Sequence, residues 1–326
     1  MTVKKKNISD TSIDAYSQYN FLGIKRDKNY IYEIKRRADI LKKKTYEPIL
    51  KRFKEKLIKS NNKEFNFMEL GSGPGRRILP KALYCKNKKN INFYAVDGTK
   101  KHLEILKKFK KKLKLKNIKT YNTFLEDINV LIKNKKIPKF DFIECNGVIH
   151  HTEDWEKILS LTFNLLKDDG FFLLVWCDPT LEFGWFHIKN QIAHRLGKDA
   201  KSRIKIGKSL FGYFDKKRYE LTFNTNLFTE GWESWLADRY AVYYRPITTW
   251  KMREVLKKNN FEIIDENPPT NFSYWKVLEN PTKKKKFIIR LINQFRILSF
   301  FLSIFLNIRG FVTKQNVRTF FLKKKV

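Results

Sequence analysis

The sequence predicts a doubly wound α/β domain with a mostly parallel, seven-stranded sheet. Short apolar runs of strand length alternate with amphipathic runs of helical period through residues 65–177, and the pattern resumes at residues 248–278. Strands that alternate with helices form parallel sheets with helices on both faces. A chain of 326 residues that is 42% hydrophobic has enough apolar side chains for such a core and for added segments.

The elements of the first part of the chain follow from these patterns. Residues 1–64 carry aromatic and lysine residues at helical spacing, which predicts a helical N-terminal cap. The first five strands are expected at Phe65–Leu70, Ile91–Val96, Ile118–Phe124, Phe140–Cys145 and Phe171–Cys177. Helices are expected between them at Arg76–Cys85, at Thr99–Leu115, shortly after Asp127 and at Asp154–Leu166.

The alternating pattern breaks in residues 178–245, which are rich in aromatics and glycine. We interpret this segment as an insertion or lid that walls an acceptor pocket; ordinary packing over the sheet edge is the alternative. A helix at Thr248–Asn259 and strands at Phe261–Ile264 and Tyr274–Leu278 complete the sheet, so the domain is expected to span residues 65–279.

Residues 280–326 combine basic flanks with an apolar stretch that carries one polar stripe, which predicts an amphipathic helical tail. The uninterrupted apolar part is too short to span a bilayer as a helix. The tail either lies on an anionic membrane surface or docks on its own domain or on a second subunit.

The formal net charge of +36 favours contact with nucleic acid, anionic lipid or phosphorylated substrates. Lysine, asparagine and isoleucine are abundant throughout, so a biased coding sequence explains the same charge, and both explanations stay open. Cys85, Cys145 and Cys177 are too scattered for a zinc site, and the spacing of His187 and His194 is not typical of any metal site. We therefore expect a cytoplasmic protein without a metal, with the tail as its candidate contact to the inner face of the membrane.

A glycine-rich turn follows the first strand. The segment Glu69-Leu-Gly-Ser-Gly-Pro-Gly75 runs from an apolar strand into three alternate glycines before a helix begins. Glycines there allow the backbone to turn sharply and a ligand to approach it closely, and the helix that follows offers free N–H groups. A dinucleotide fingerprint needs its third glycine at position 76, which is Arg76, so NAD is less favoured. The acidic Glu69 also suits a cofactor that carries an ammonium group.

This segment resembles the first motif of class I S-adenosylmethionine-dependent methyltransferases. Later segments of residues 65–178 resemble the family's further motifs in the same order, with a weaker likeness at residues 248–264. The resemblance implies a Rossmann-like methyltransferase fold, S-adenosyl-L-methionine as cofactor, and methyl transfer. The implied cofactor-binding residues are Glu69, Gly71, Ser72, Gly73, Gly75, Asp97, Gly98, Asp127, Ile128 and Asn146.

Two of these residues have specific implied roles. By resemblance, Asp97 at the end of the second strand accepts hydrogen bonds from the ribose hydroxyls, which suits a carboxylate with its two acceptor oxygens. By the same resemblance, Asp127 accepts a hydrogen bond from the adenine amino group, with Leu125 or Ile128 near the ring. A helix N-cap is the alternative role for Asp127.

Methyl transfer mainly requires that acceptor, methyl group and sulfur be held in line. A general base helps when the acceptor is a hydroxyl, and His151 and His150, after the fourth strand, are the candidates; a structural hydrogen bond in the loop is the alternative. The segment Asn146-Gly-Val-Ile-His-His151 resembles the branch that modifies small molecules and lipids, so a small-molecule, sugar or lipid-linked acceptor is expected. An RNA or protein methyltransferase using the basic surface, and a non-catalytic partner subunit that binds the cofactor, are the alternatives.

Overall fold

The computed structural model describes residues 8–18, 27–42, 48–60, 63–134, 136–178, 181–223, 232–267 and 317–325. Seven strands lie within these ranges: β1 Phe65–Leu70, β2 Ile91–Asp97, β3 Ile118–Asn122, β4 Phe140–Asn146, β5 Leu166–Cys177, β6 Phe261–Asn267 and β7 Val317–Lys324. They form one sheet in the order β3-β2-β1-β4-β5-β7-β6. Strands β1 to β5 pair in parallel, and β7 is antiparallel to both neighbours. The predicted fold class is confirmed.

The α-helices of the described ranges flank this sheet and also extend beyond it. They are α1 Ile8–Gln18, α2 Asp27–Lys42, α3 Pro48–Lys59, α4 Ile78–Tyr84, α5 Lys100–Lys112, α6 Asn129–Lys133, α7 Trp155–Leu165, α8 Leu181–Leu196, α9 Ala200–Phe223, α10 Trp232–Leu236 and α11 Thr249–Lys258. Helices α7 and α11 each have a side-chain N-cap. Asp154 accepts a hydrogen bond from the Lys157 amide (3.0 Å), and Thr248 accepts one from the Lys251 amide (3.2 Å).

The sheet has an apolar core on each face. All six residues of β1 are buried, as expected for a central parallel strand covered on both sides. On one face, helices α2 to α5 pack over aromatic side chains, among which Phe67 stacks on Phe142 with ring centroids 5.6 Å apart. On the other face, Ile158 of α7 and Met252 of α11 pack against the strands. Helices α2 and α3 of the predicted cap therefore share the core of the sheet.

Strand β7 corrects one expectation about the C-terminal region. Residues 317–324 pair inside the sheet between β5 and β6, so the prediction that residues 280–326 form a tail outside it is wrong for this part. The reason is that Phe320 and Leu322 enter one core while Phe321 enters the other, so the segment buries apolar side chains on both faces. The predicted strand Tyr274–Leu278 and the tail residues 280–316 lie outside the described residues.

The insertion forms a third apolar cluster from α8, α9, α10 and a π-helical turn at Ala237–Ala241. Tyr240 of this turn lies against Gly207 of α9. Its hydroxyl donates to the buried Asp215, which also accepts from Lys189 of α8. Across the part of the chain that is described, no helix has both the length and the apolar character needed to cross a membrane.

Candidate functional site

A cavity of about 240 Å³ lies at the carboxyl ends of β1, β2 and β4. In an open parallel sheet, ligands bind where neighbouring strands diverge in chain order, and β1 stands at that point between β2 and β4. The cavity wall contains Ser12, Ile13, Tyr16, Gly71, Ser72, Gly73, Pro74, Arg76, Arg77, Asp97, Gly98, Thr99, His102, Phe124, Leu125, Glu126, Asn146, Gly147, Val148, His151 and Thr152. Seven of the predicted site residues therefore line this cavity: Gly71, Ser72, Gly73, Asp97, Gly98, Asn146 and His151.

Two glycines let a ligand reach the backbone in this cavity. Gly73 (φ +53°) and Gly147 (φ +74°) have left-handed conformations, and a Cβ atom added to either would meet no atom within 4 Å. A side chain at either position would thus project into open space beside the cavity, where it would compete with a ligand. Gly75, by contrast, packs against Leu79 and Leu106 and does not line the cavity.

Asp97 is held rigidly at the end of β2. Its Oδ2 accepts a hydrogen bond from the Gly73 amide and its Oδ1 accepts one from the Thr99 amide, both at 2.8 Å. Each carboxylate oxygen has a second acceptor site, so two further hydrogen bonds can be accepted from a ligand. This arrangement fits a ribose, whose adjacent hydroxyls present two donors. Next to it, Gly98 lies under Ile13 of α1.

A buried carboxyl pair supports the glycine turn from below. Glu69 and Glu144 are register partners on β1 and β4. Glu144 accepts hydrogen bonds from Lys81 Nζ (2.7 Å) and from Asn146 Nδ2 (3.3 Å), and it lies 3.8 Å from Arg77 Nε. Glu69 accepts a hydrogen bond from the Ile78 amide at the start of α4, whereas its Oε2 has no hydrogen-bond partner among the described residues.

Burial and the neighbouring Glu144 raise the pKa of Glu69 to about 8, although Lys81 and Arg77 oppose this change. Glu69 is therefore mostly protonated at pH 7. The structure places it beneath the cavity, where it supports the glycine turn and the start of α4.

After β3, the acidic side chain that lines the cavity is one residue away from the predicted one. Asp127 is exposed at the end of a 3-10 turn at Leu125–Asp127, and Ile128 is buried in the core, so neither lines the cavity. Glu126 supplies an acidic side chain to the wall instead. Its Oε1 accepts a hydrogen bond from the Glu153 amide at 2.9 Å, which ties this turn to the loop after β4.

His151 is fixed in one tautomer at the edge of the cavity. Its Nδ1 lies 2.9 Å from the carbonyl oxygen of Tyr243. Because a carbonyl only accepts, we assign the proton to Nδ1, which leaves Nε2 as the acceptor nitrogen. Burial lowers the pKa of His151 to about 4, so its ring is neutral at physiological pH. Tyr16 of α1 meets this ring edge-on with centroids 6.0 Å apart.

His150 lies behind His151, outside the cavity wall. It is buried and stacks on Tyr244 with ring centroids 5.1 Å apart. Burial lowers its pKa far below the usual value, with smaller contributions from His151 and His187. Its Nδ1 has no hydrogen-bond partner within the described ranges. Of the two predicted bases, only His151 borders the cavity.

The insertion positions the backbone that holds His151. Asn190 of α8 donates to the carbonyl oxygens of Arg239 (2.7 Å) and Val242 (2.8 Å) and accepts from the Tyr244 amide (3.2 Å). The Tyr244 hydroxyl donates to Asp238 at 3.1 Å. These bonds fix the segment that carries the Tyr243 carbonyl. Neither Asn190 nor the α1 residues Ser12, Ile13 and Tyr16 had a signal in the sequence, because their roles depend on contacts between distant segments.

A family model described as a methyltransferase domain matches residues 61–222. This range includes all the cavity-lining residues that lie in the sheet or in the loops and turns between its strands. The chain belongs to the class I S-adenosylmethionine-dependent methyltransferases. Its cofactor is S-adenosylmethionine, and the open glycine backbone and the acceptor sites of Asp97 fit that molecule. No curated protein sequence matches this methyltransferase.

Several solved structures are similar to this methyltransferase at low sequence identity. PKMT2 from Rickettsia typhi in complex with AdoHcy has a TM-score of 0.50 and 18% identity over 81% of this chain and 50% of that chain. The methyltransferase thus spans about half the length of that structure. An S-adenosylmethionine-dependent methyltransferase from Clostridium acetobutylicum has a TM-score of 0.44 and 15% identity, covering 91% and 97% of the two chains. The plantazolicin methyltransferase BamL, in complex with a triazolic desmethylPZN analog and SAH, has a TM-score of 0.46 and 12% identity, covering 98% and 97%.

Proposed function

We propose that this methyltransferase acts on a small-molecule, sugar or lipid-linked acceptor and that His151 is its general base. The observation that carries the proposal is the position of His151 in the wall of the cofactor cavity, with Nδ1 bound to the Tyr243 carbonyl. In this tautomer Nε2 is available to accept a proton. A neutral imidazole in hydrogen-bond reach of an acceptor hydroxyl or amine is a suitable base.

The position of α1 supports an acceptor of limited size. The Ser12 hydroxyl donates to the His151 carbonyl oxygen (3.2 Å), and Lys101 Nζ donates to the Ser17 carbonyl oxygen (3.0 Å). Ile13 between them packs on Gly98. The helix is thus tied to both sides of the cavity, and a small or extended acceptor group fits beneath it more readily than a folded macromolecule.

The positions of these residues indicate the role of each in methyl transfer. S-adenosylmethionine supplies the methyl group from a sulfonium, whose departure as a neutral thioether needs little covalent help. Asp97 and the glycine turn orient the bound nucleoside, while His151 accepts the proton that the acceptor loses. The pKa of about 4 keeps His151 unprotonated over the whole physiological range.

Calorimetric titration with S-adenosylhomocysteine is the first test of the site. The wild-type protein is expected to bind, and the variants Asp97→Ala and Gly73→Arg are expected to lose binding. Methyl transfer to small-molecule, sugar and glycolipid extracts then identifies the acceptor class.

The role of His151 is tested with that acceptor. His151→Asn should lower kcat by about 10²- to 10⁴-fold while S-adenosylhomocysteine binding persists. His194→Asn is the matched control, since burial also lowers the pKa of His194 to about 4 and this residue lies outside the cavity wall. Equal losses of kcat in both variants would contradict a role for His151 as base.

The exposed face of α5 favours a second candidate, an RNA methyltransferase. Lys107, Lys108 and Lys111 are exposed on this helix, which begins directly after the cavity residue Thr99. Lysines at this position can contact phosphates of a bound polyanion. Strong, salt-dependent binding of transfer RNA, followed by its methylation, would favour this candidate over the first.

A further inference from the structure

Tyr16 of α1 lies in the cavity wall between the part that suits a ribose and the part that holds the proposed base. Its ring is half-buried, with its centroid 5.5 Å from that of the His102 ring and 6.0 Å from that of the His151 ring. His102 adjoins the carboxylate at the end of β2, since its Nδ1 lies 3.7 Å from Asp97 Oδ1. A single phenol ring therefore connects the two functional ends of the cavity.

The packing of α1 holds this ring in place. Ala15 is fully buried in the apolar cluster of the insertion, and Tyr16 packs against the same cluster. The Ser17 carbonyl oxygen accepts the hydrogen bond from Lys101, while the Ser12 hydroxyl donates to the loop after β4. Because the helix is bound on both sides of Tyr16, the protein's own contacts hold this ring against the cavity.

The sulfonium of S-adenosylmethionine would occupy the space beside Tyr16. Its sulfur is joined to the ribose through a single CH2 group, so a ribose bound at Asp97 would place the sulfur nearby. In-line transfer requires the methyl group to point at the acceptor atom. In the proposed function, on which this step rests, the acceptor lies beside His151. The charged sulfur would thus fall between the two ends of the cavity that the Tyr16 ring connects.

We propose that the aromatic ring of Tyr16 recognises the positive charge of the sulfonium, so that the site binds S-adenosylmethionine more tightly than S-adenosylhomocysteine. A cation within about 6 Å of an aromatic ring is attracted by the π electrons, and the attraction grows when water is excluded. The product carries a neutral thioether, which this attraction does not stabilise. Tyr16 is then a specificity-determining residue that favours the charged cofactor and eases release of the product.

Calorimetric titration of the full chain with each of the two ligands tests the proposal without any acceptor. The wild-type protein should bind S-adenosylmethionine more tightly than S-adenosylhomocysteine. Tyr16→Leu and Tyr16→Met, which remove the π electrons, should each reduce the ratio of the two affinities by about 3- to 30-fold. Tyr16→Phe, which keeps the ring and removes the hydroxyl, should retain the wild-type ratio.

Phe124→Leu is the matched control, because Phe124 is also half-buried in the cavity wall but lies on the loop after β3. This variant should weaken the binding of both ligands by the same factor. A ratio that is unchanged in Tyr16→Leu and Tyr16→Met would assign the preference to the charge of Asp97 and overturn the proposal. Equal losses of the ratio in Phe124→Leu or in Tyr16→Phe would also overturn it, as would a wild-type protein that binds both ligands equally.

The same titrations, read beside the kcat of His151→Asn, separate this proposal from the proposed function. S-adenosylhomocysteine binding that persists in Tyr16→Leu shows that the variant is folded, so the ratio then reports on the ring. A ratio that depends on Tyr16, together with an unchanged kcat in His151→Asn, would refute the proposed base and leave the role of Tyr16 standing. A ratio that does not depend on Tyr16, together with a large loss of kcat in His151→Asn, would refute the role of Tyr16 alone.

Discussion

The substitution Glu69→Gln tests the buried carboxyl pair beneath the glycine turn. Burial raises the pKa of Glu69 from the ordinary 4.5 to about 8, so at pH 7 the folded protein keeps a proton that the unfolded chain has released. The stability that this proton uptake contributes is fully present below pH 4.5 and is lost as the pH rises through 8. At about 1.4 kcal/mol per pH unit, the loss reaches about 3 kcal/mol at pH 7 and about 5 kcal/mol above pH 8.

Glutamine has nearly the same shape and cannot ionise, so it removes this pH dependence. The variant should match the wild-type protein near pH 4.5, exceed its free energy of unfolding by about 3 kcal/mol at pH 7, and exceed it further at pH 9. Urea unfolding at the three pH values measures the difference. Glu64→Gln serves as the control, because Glu64 is exposed just before β1 and should show no such trend. A difference that is the same at every pH, or a variant that is less stable at pH 9, would refute the argument.

Four further predictions concern the cavity and the insertion. Asp97→Asn should weaken S-adenosylhomocysteine binding by about 10- to 100-fold in calorimetry, because an amide offers one acceptor oxygen in place of two. Gly147→Ala should also weaken that binding, since its Cβ would project beside the cavity, at a stability cost of about 1–2 kcal/mol for the left-handed backbone. Gly207→Ala should lower the unfolding free energy by about 1–3 kcal/mol, because its Cβ would lie 2.4 Å from the Tyr240 ring, whereas Gly212→Ala, with its nearest atom at 3.5 Å, should not lower it. If His151 is the base, kcat/KM should fall on the acid side near pH 4 and not near 6.5, which a pH profile at saturating cofactor measures.

The sequence predicts the central sheet well because its signals are local. The apolar runs of β1, β2 and β4 each end in a polar or glycine residue, and parallel strands bring those ends together. The positions of Gly71, Asp97 and Asn146 at one cavity follow directly from strand order. Helix bounds are also close, since α11 begins at Thr249 where the pattern predicts Thr248.

Other parts of the site depend on geometry that a local pattern does not contain. The 3-10 turn after β3 decides whether Glu126 or Asp127 borders the cavity, and both are acidic. The covering of the cavity by α1 rests on contacts such as that from Ser12 to His151, 139 residues apart in sequence. Strand β7 was missed because its basic flank is typical of a solvated terminus, whereas its Phe-Phe-Leu core is buried only when β5 and β6 lie on either side.

The place of β7 also sets an order for the assembly of the protein during synthesis. Among the described strands, β6 has one neighbour in the sheet, and that neighbour is residues 317–324. While the ribosome is still translating the residues before β7, β5 has an open edge and β6 lacks the partner that it has in the described sheet, although β1 to β5 can already associate. Such open edges invite pairing with other chains. A premature stop codon shortly before Val317 would therefore remove an interior strand, leave the edge of β5 open and yield a product prone to aggregation.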